Sequence, residues 1–315
     1  MGSETLSAKL PTVEFTGENL KPGKSSWIAT CHEVRRALEE HGCFVAVYER
    51  VDLELDEAIF SELEELFDLP VETKVQNTSD VPYFGYVGQL PDIPLYESMG
   101  ISDPQTLQGT QTFTKLMWPA GNDKFCETVC SYSKLVSQLE QTVKSMVFES
   151  YGVEKCFENH DIGSTSYLLK ATKYKAPKMN EMDIGLTSHT DKSFITILHQ
   201  NQVNGLEVKS NNGEWIGFEE HLPSSFVVMA GDAFMAWSNN RIHSPSHRVV
   251  MTGDKTRYSL GLFSINKGTI HIPRELVDEQ HPLQFHPFDN LGLLLYSYAD
   301  VYTRSESCIK DYCGT

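Results

Sequence analysis

From Thr165 onward the chain breaks into short β-prone runs at nearly even spacing: 165–174, 184–187, 194–198, 205–209, 214–217, 225–229, 233–237, 246–251 and 256–265. Gly205, Asn211-Asn212-Gly213, Gly231 and Gly253-Asp254 punctuate them as turns. No strand this short buries its own apolar face, and a row of them closes only as a sandwich or a jelly roll. The first half carries a different signal. Residues 10–15 alternate as a short strand, and a helix spans about Ser26 to His41 with Ile28, Val34, Ala37 and Leu38 on one stripe. Gly42 ends it, Cys43 to Tyr48 reads as a buried strand, and a second helix runs from about Leu53 to Leu69, stopped by Pro70.

Residues 78–122 show few regular signals. Five prolines and many aromatic residues, among them Tyr83, Phe84, Tyr86, Tyr96, Phe113 and Trp118, predict a long aromatic loop. A helix over 123–151 follows, and the tail beyond Arg274 ends helical. No repeat and no low-complexity segment divides the chain. The expectation is therefore an α+β fold in one compact unit. Residues 1–122 form the N-terminal region with its aromatic loop, and 123–315 hold a helix, the β core and a C-terminal helix.

Composition excludes several classes of function. The 315 residues carry 26 basic and 43 acidic side chains, a formal charge of −17. Such a balance gives no footprint for nucleic acid and disfavours an anionic membrane surface. Many of the acids fall between Asp52 and Glu72, a pattern expected of a solvated helix face. No apolar run approaches the ~20 residues needed to span a bilayer. Met1-Gly2 resembles the start of a myristoylation signal, but Leu6 stands where Ser or Thr is required. Seven cysteines, an odd number without a repeated pattern, read as reduced thiols of a cytoplasmic protein. Cys126 and Cys130 have no second pair at zinc-site spacing and are expected to pack. A monomer with a small-molecule partner is the expected state.

The chemistry-bearing residues are His189-Thr190-Asp191 and, after 55 intervening residues, His247. On a strand, residues i and i+2 share a face about 6.6 Å apart, so His189 and Asp191 can converge on one ion. A third ligand comes from His243 or His247. Pro245 lies between these two and keeps them off one helical turn. On an extended segment they stand about 13 Å apart, so only one reaches the ion. His247 heads a strand-like run and His243 sits in a turn-like stretch. Two imidazoles and a carboxylate with open positions are the signature of a non-haem iron(II) oxygenase. Ten residues further on, Arg257 and Ser259 share a face, next to the metal strand if the sheet pairs in order. A guanidinium beside a hydroxyl suits bidentate capture of a carboxylate, as on a 2-oxo dicarboxylic acid.

With these motifs the chain resembles the plant 2-oxoglutarate- and iron(II)-dependent dioxygenases over nearly its whole length. The matching segments are 185–191, 196–198, 205–208, 231–232, 237–239, 246–249 and 257–259. Residues 85–88, 95–100 and 116–119 resemble the subgroup that oxidises glucosinolate side chains and auxin. The resemblance implies a double-stranded β-helix, or jelly roll, with His189, Asp191 and His247 as iron ligands. It implies that Arg257 and Ser259 bind the distal carboxylate of 2-oxoglutarate and that Tyr174 hydrogen-bonds the same co-substrate. Thr172 departs from the family's usual asparagine. Phe263 matches a substrate-pocket position, and Tyr86, Tyr96 and Met117 of the aromatic stretch are further candidates for that wall.

The implied reaction consumes O2 and 2-oxoglutarate, releases succinate and CO2, and most simply hydroxylates a C–H bond of a hydrophobic plant specialised metabolite. Ascorbate would serve as the reductant in vitro. Demethylation, desaturation and ring formation begin from the same C–H cleavage, and an oxidase independent of 2-oxoglutarate shares the fold. A non-catalytic binding protein fits poorly with an intact ligand triad.

Overall fold

The computed structural model describes residues 9–178, 183–218, 224–299 and 308–315. The Met1-Gly2 reading lies outside them. Strand β1 (Thr12–Glu14) leads to α1 (Ser25–Glu40), whose inward stripe is Trp27, Cys31, Val34 and Leu38. Ile28 instead points outward, because the buried line runs through Trp27 and, one helical turn on, Cys31. Gly42 turns the chain at φ 72°, where a Cβ would stand 2.5 Å from the His243 carbonyl oxygen. Strand β2 (Cys43–Val47) follows, then α2 (Leu53–Asp68), capped by the Asp52 side chain, which accepts from the Leu55 N–H at 2.9 Å. Not all of its acids are solvated. Glu62 is fully buried against the Lys124 ammonium, and Asp56 approaches His199 at 3.0 Å.

The stretch read as a long aromatic loop holds regular structure. After the short α3 (Val71–Lys74) come β3 (Tyr96–Ser102) and α4 (Leu107–Met117). Strand β3 is hidden in sequence because its carboxylate is internal: Glu97 is buried, with Lys74 at 2.6 Å and the Tyr86 hydroxyl donating at 2.9 Å. Threonines of weak helix propensity mask α4, which is capped by Thr106. The 28-residue α5 (Asp123–Ser150) then crosses behind the β core beside β6 and β11, with Val143, Val147 and Phe148 buried in the main hydrophobic cluster.

The core comprises β4 (Thr165–Tyr174), β5 (Ile184–His189), β6 (Ile195–Gln200), β7 (Leu206–Lys209), β8 (Trp215–Gly217) and β9 (Ser225–Ala230). After α6 (Asp232–Trp237) it continues with β10 (His247–Val250) and β11 (Arg257–Asn266). Segment 233–237, expected as a strand, is this helix. A short, largely buried apolar run carries no periodicity to separate the two; Phe148 stacks on its Trp237 and Phe194 on its Phe234. The hairpin-like pair β12 (Thr269–Ile270) and β13 (Phe288–Asp289), then α7 (Asn290–Ala299) and α8 (Cys308–Cys313), close the chain.

Seven strands form the major sheet in the order β1-β2-β9-β6-β11-β4-β3, and four form the minor sheet, β5-β10-β7-β8. Only β1 and β2 pair in parallel; the other neighbours are antiparallel. This is the expected mixed fold with a jelly-roll core. Strands β1 to β3, from the stretch assigned to the N-terminal region, are hydrogen-bonded into the major sheet. No helix among the described residues is long and apolar enough to cross a membrane.

Candidate metal centre and its cavity

Strands β5 and β10 pair antiparallel with His189 opposite His247, which sets the two imidazoles side by side at a centroid separation of 4.3 Å. Asp191 lies two residues past the end of β5 and turns back toward them. Its Oδ1 is 3.7 Å from His189 Nε2 and 3.8 Å from His247 Nε2. The donor atoms of all three lie within 4.8 Å of one another, the one such group among the described residues. His243, the other candidate from sequence, is not in the group; its backbone N–H is tied to the Leu38 carbonyl of α1.

The surroundings prepare these atoms for a cation. His189 Nδ1 faces the Thr187 carbonyl at 2.8 Å and His247 Nδ1 faces the Pro245 carbonyl at 3.4 Å. A proton on each Nδ1 satisfies those oxygens and leaves both Nε2 lone pairs pointing inward. Burial, then the neighbouring His247, push His189 down to about 4, so it is neutral at ordinary pH and free to donate its lone pair. Burial acts to raise Asp191, yet the two imidazoles and the Thr196 hydroxyl outweigh it and hold the carboxyl below its ordinary value. Thr196 Oγ1 donates to Asp191 Oδ2 at 2.7 Å, freeing Oδ1 to face the histidines. A second carboxylate, Asp232, braces the same loop, taking Lys192 at 2.7 Å, Thr190 at 3.1 Å and Ser244 at 2.6 Å. Two neutral imidazoles and one carboxylate on a single side fit a divalent iron with its other side open.

That open side faces a cavity of about 480 Å³ between the two sheets. Side chains of the major sheet enter it with period two: Lys170, Thr172 and Tyr174 from β4, and Arg257, Ser259 and Phe263 from β11. Arg257 does not pair beside the metal strands, as the sequence suggested. Strand β11 lies between β4 and β6 in the major sheet, and β5 and β10 are in the other, so Arg257 confronts the triad across the barrel. Its guanidinium is buried, reaches Gln200 Oε1 at 2.8 and 3.2 Å and Ser259 Oγ at 3.3 Å, and lies 5.1 Å from the Tyr174 ring centroid. Burial lowers the Arg257 guanidinium and raises the Tyr174 phenol, leaving a cation and a neutral hydroxyl side by side. This corner can receive a carboxylate.

Of the other residues singled out from sequence, Tyr96 and Phe263 line the cavity. Tyr86 and Met117 do not. Tyr86 turns toward Glu97, and Met117 sits on the buried side of α4 in the hydrophobic core. The wall they were expected to supply comes from Tyr83 and Phe84 and from Leu294 and Tyr298 of α7. Sequence reasoning missed Thr196, Gln200 and Lys170, whose roles depend on cross-strand register.

Comparison with known proteins agrees with this geometry. Residues 159–265 match the family model of the 2OG-Fe(II) oxygenase superfamily, and residues 10–113 match that of the non-haem dioxygenase in morphine synthesis N-terminal region. The chain is 41% identical to the probable 2-oxoglutarate-dependent dioxygenase AOP1 of Arabidopsis thaliana, over 98% of this chain and 97% of that protein. Among solved structures, the Arabidopsis dioxygenase for auxin oxidation 1, in its complex with 2-oxoglutarate, superposes with a TM-score of 0.77 at 28% identity, covering 87% of this chain and 99% of that one. The rice dioxygenase for auxin oxidation gives 0.80 at 27% identity, covering 97% and 100%.

Proposed function

This chain belongs to the 2OG-Fe(II) oxygenase superfamily, and from that premise we propose that it hydroxylates an unactivated C–H bond of a largely apolar plant specialised metabolite. It is a 2-oxoglutarate-dependent dioxygenase of plant type with a His-Asp-His site. The observation that carries the finer reading is the shape of the site: a three-donor cluster on one sheet opens into a cavity whose far corner holds Arg257 and whose remaining wall is mainly apolar.

His189, Asp191 and His247 would hold the iron, and Arg257 with Ser259 would hold the distal carboxylate of 2-oxoglutarate, with Tyr174 alongside. When bound, iron with 2-oxoglutarate and O2 supplies an oxidative decarboxylation to succinate and CO2 coupled to oxidation of a C–H bond. The chain supplies position and dryness. Gln200 keeps the Arg257 fork flat against the barrel wall, so the co-substrate enters in one orientation. Thr196 fixes which carboxylate oxygen of Asp191 faces the metal position. Tyr83, Phe84, Leu198 and Phe263 surround the space beyond the triad with side chains that offer little to water. Lys192, neutralised by Asp232, anchors the ligand loop without adding a free charge.

Protein reconstituted under argon with iron(II), ascorbate and 2-oxoglutarate, then exposed to air with a plant metabolite extract, tests the reading. We expect a product heavier than its precursor by one oxygen atom and succinate in equal amount. His189→Ala should abolish both while keeping the fold. A product lighter by two hydrogens or by one methylene would replace hydroxylation with desaturation, ring formation or demethylation. Product without succinate would mean an oxidase independent of 2-oxoglutarate.

A further inference from the structure

Lys170 puts an ammonium group inside the cavity, and neither the metal site nor the Arg257 corner uses it. It lies in the middle of β4 with Gly261 opposite on one side and Gly100 on the other. Directly opposed residues of an antiparallel pair share a face. The two glycines put no side chain of their own beside Lys170; the Phe84 backbone packs over Gly100 and the Phe263 ring over Gly261. Its nearest company is aromatic: Nζ is 4.5 Å from the Tyr83 ring centroid and 5.5 Å from that of Tyr96. Among the described residues it forms no ion pair and no hydrogen bond. Burial pulls the group down to about 8, with Tyr83 and Asp191 acting in the opposite direction, so it remains mainly protonated at neutral pH.

Lys170 is half-buried, so its ammonium has given up part of its solvation, which an anion in the cavity would restore. A structural lysine would show its partner, as Lys144 does with Glu140 at 3.0 Å and Lys74 with Glu97 at 2.6 Å. The other cations lining the cavity are engaged, Lys192 by Asp232 and Arg257 by Gln200 and Ser259. Lys170 and Arg257 also start from different points of the sheet. Arg257 is paired with Tyr174, four residues along β4 from Lys170, so their backbone positions stand roughly 13 Å apart along the strand.

We propose that Lys170 anchors a carboxylate on the primary substrate, so that the substrate class is an amphipathic organic acid with one anionic end and an apolar body. The inference rests on the oxygenase reading above and narrows its substrate. A single ammonium with three donors matches a singly charged carboxylate, and the apolar body then lies among Tyr83, Phe84, Phe263 and Tyr298. Tyr83 and Tyr298, with ring centroids 4.7 Å apart, bring the aromatic loop and α7 together at this end of the cavity. Holding the acid at one fixed point decides which carbon of the body faces the triad.

Binding is measured by calorimetry under argon on protein loaded with iron(II) and 2-oxoglutarate. The probes are 1-naphthylacetate, 3-phenylpropionate and decanoate, each beside its methyl ester. At least one acid should bind about ten- to a hundredfold more tightly than its ester, the range of a charge-assisted hydrogen bond. Lys170→Met should remove that preference and leave the ester's affinity alone, while Lys170→Arg should keep most of it. Acids that bind no better than their esters, or not at all, overturn the proposal without any variant. So does Lys170→Met binding the acids like the unaltered protein. The absorption band formed when 2-oxoglutarate chelates iron, recorded on the same loaded protein, reads the oxygenase assignment separately. Its absence would defeat that assignment, whereas its presence without acid preference defeats only the role of Lys170.

Discussion

Asp191 uses its two oxygens differently, and Thr196 keeps them apart. Oδ2 takes the Thr196 hydroxyl at 2.7 Å, and Oδ1 is left for the histidine side at 3.7 and 3.8 Å. Thr196→Val keeps the volume and shape but removes the hydroxyl, which also meets Ser193 Oγ at 2.7 Å. Iron(II) affinity should fall about ten- to a hundredfold, the usual cost of losing a hydrogen bond to a metal ligand, and the metal-free protein should lose about 1–3 kcal/mol of stability for the buried groups left unpaired. Competition against a fluorescent chelator under argon measures it, and an unaltered affinity would mean the carboxylate needs no such restraint. The ligands themselves were legible in sequence because few residue types bind iron and a strand fixes the spacing of His189 and Asp191. Thr196 was not, since a threonine in a β-strand is ordinary until the fold shows what it touches. Gln200 was hidden for the same reason: it reaches Arg257 only because β6 and β11 are antiparallel neighbours with Gln200 opposite Ser259.

At the level of elements, sequence served best where packing is one-sided or long. Strand β4 and helices α1, α2 and α5 fall within a residue or two of their expected bounds. It failed where burial is complete or polar groups turn inward: α6 is apolar after its first residue, Asp232, and β3 carries a buried glutamate whose partner Lys74 comes from α3. It also misplaced Arg257 relative to the metal strands, because a jelly roll sends successive strands to alternate sheets. That crossing makes β5 a close neighbour of β4's inward face. Gly185 of β5 lies so near Tyr174 that an added Cβ would stand 2.7 Å from its Cδ1 and 3.1 Å from Val249 Cγ1. The Tyr174 ring cannot easily retreat, being packed edge-on against Tyr96 at 5.6 Å and lying 5.1 Å from the Arg257 guanidinium. Gly185→Ala should therefore destabilise the protein by about 1–3 kcal/mol, the usual range for overpacking, and weaken 2-oxoglutarate binding with iron affinity less affected. Thermal melts and calorimetric titration of each ligand would show it. Equal weakening of both ligands would place the strain in the triad instead of at Tyr174.

Taken whole, the proposed function would divide its two ligands between the two sheets. His189 and His247 belong to the minor sheet, and Arg257 and Ser259 to the major one. The sheets are joined by a small apolar cluster, Leu206, Val208 and Ile216 of the minor sheet against Cys43, Val45, Val227 and Met229 of the major one, and separated elsewhere by the cavity. Iron alone would brace one sheet and 2-oxoglutarate alone the other, whereas both bound together would tie the sheets to each other. A ligand at a hundredfold its dissociation constant stabilises the folded state by about 2.7 kcal/mol. If the chelate bridges the sheets, adding both ligands should raise stability beyond the sum of the separate effects by about 1–3 kcal/mol, the size of a typical coupling energy. The measurement is a set of melts under argon with neither, each and both, repeated on Asp191→Ala, which should lose the excess together with the iron effect. Strictly additive shifts would show that the two ligands are held independently. Arg257 would then be reading an anion that never meets the metal, and the division of labour between the sheets would have to be redrawn.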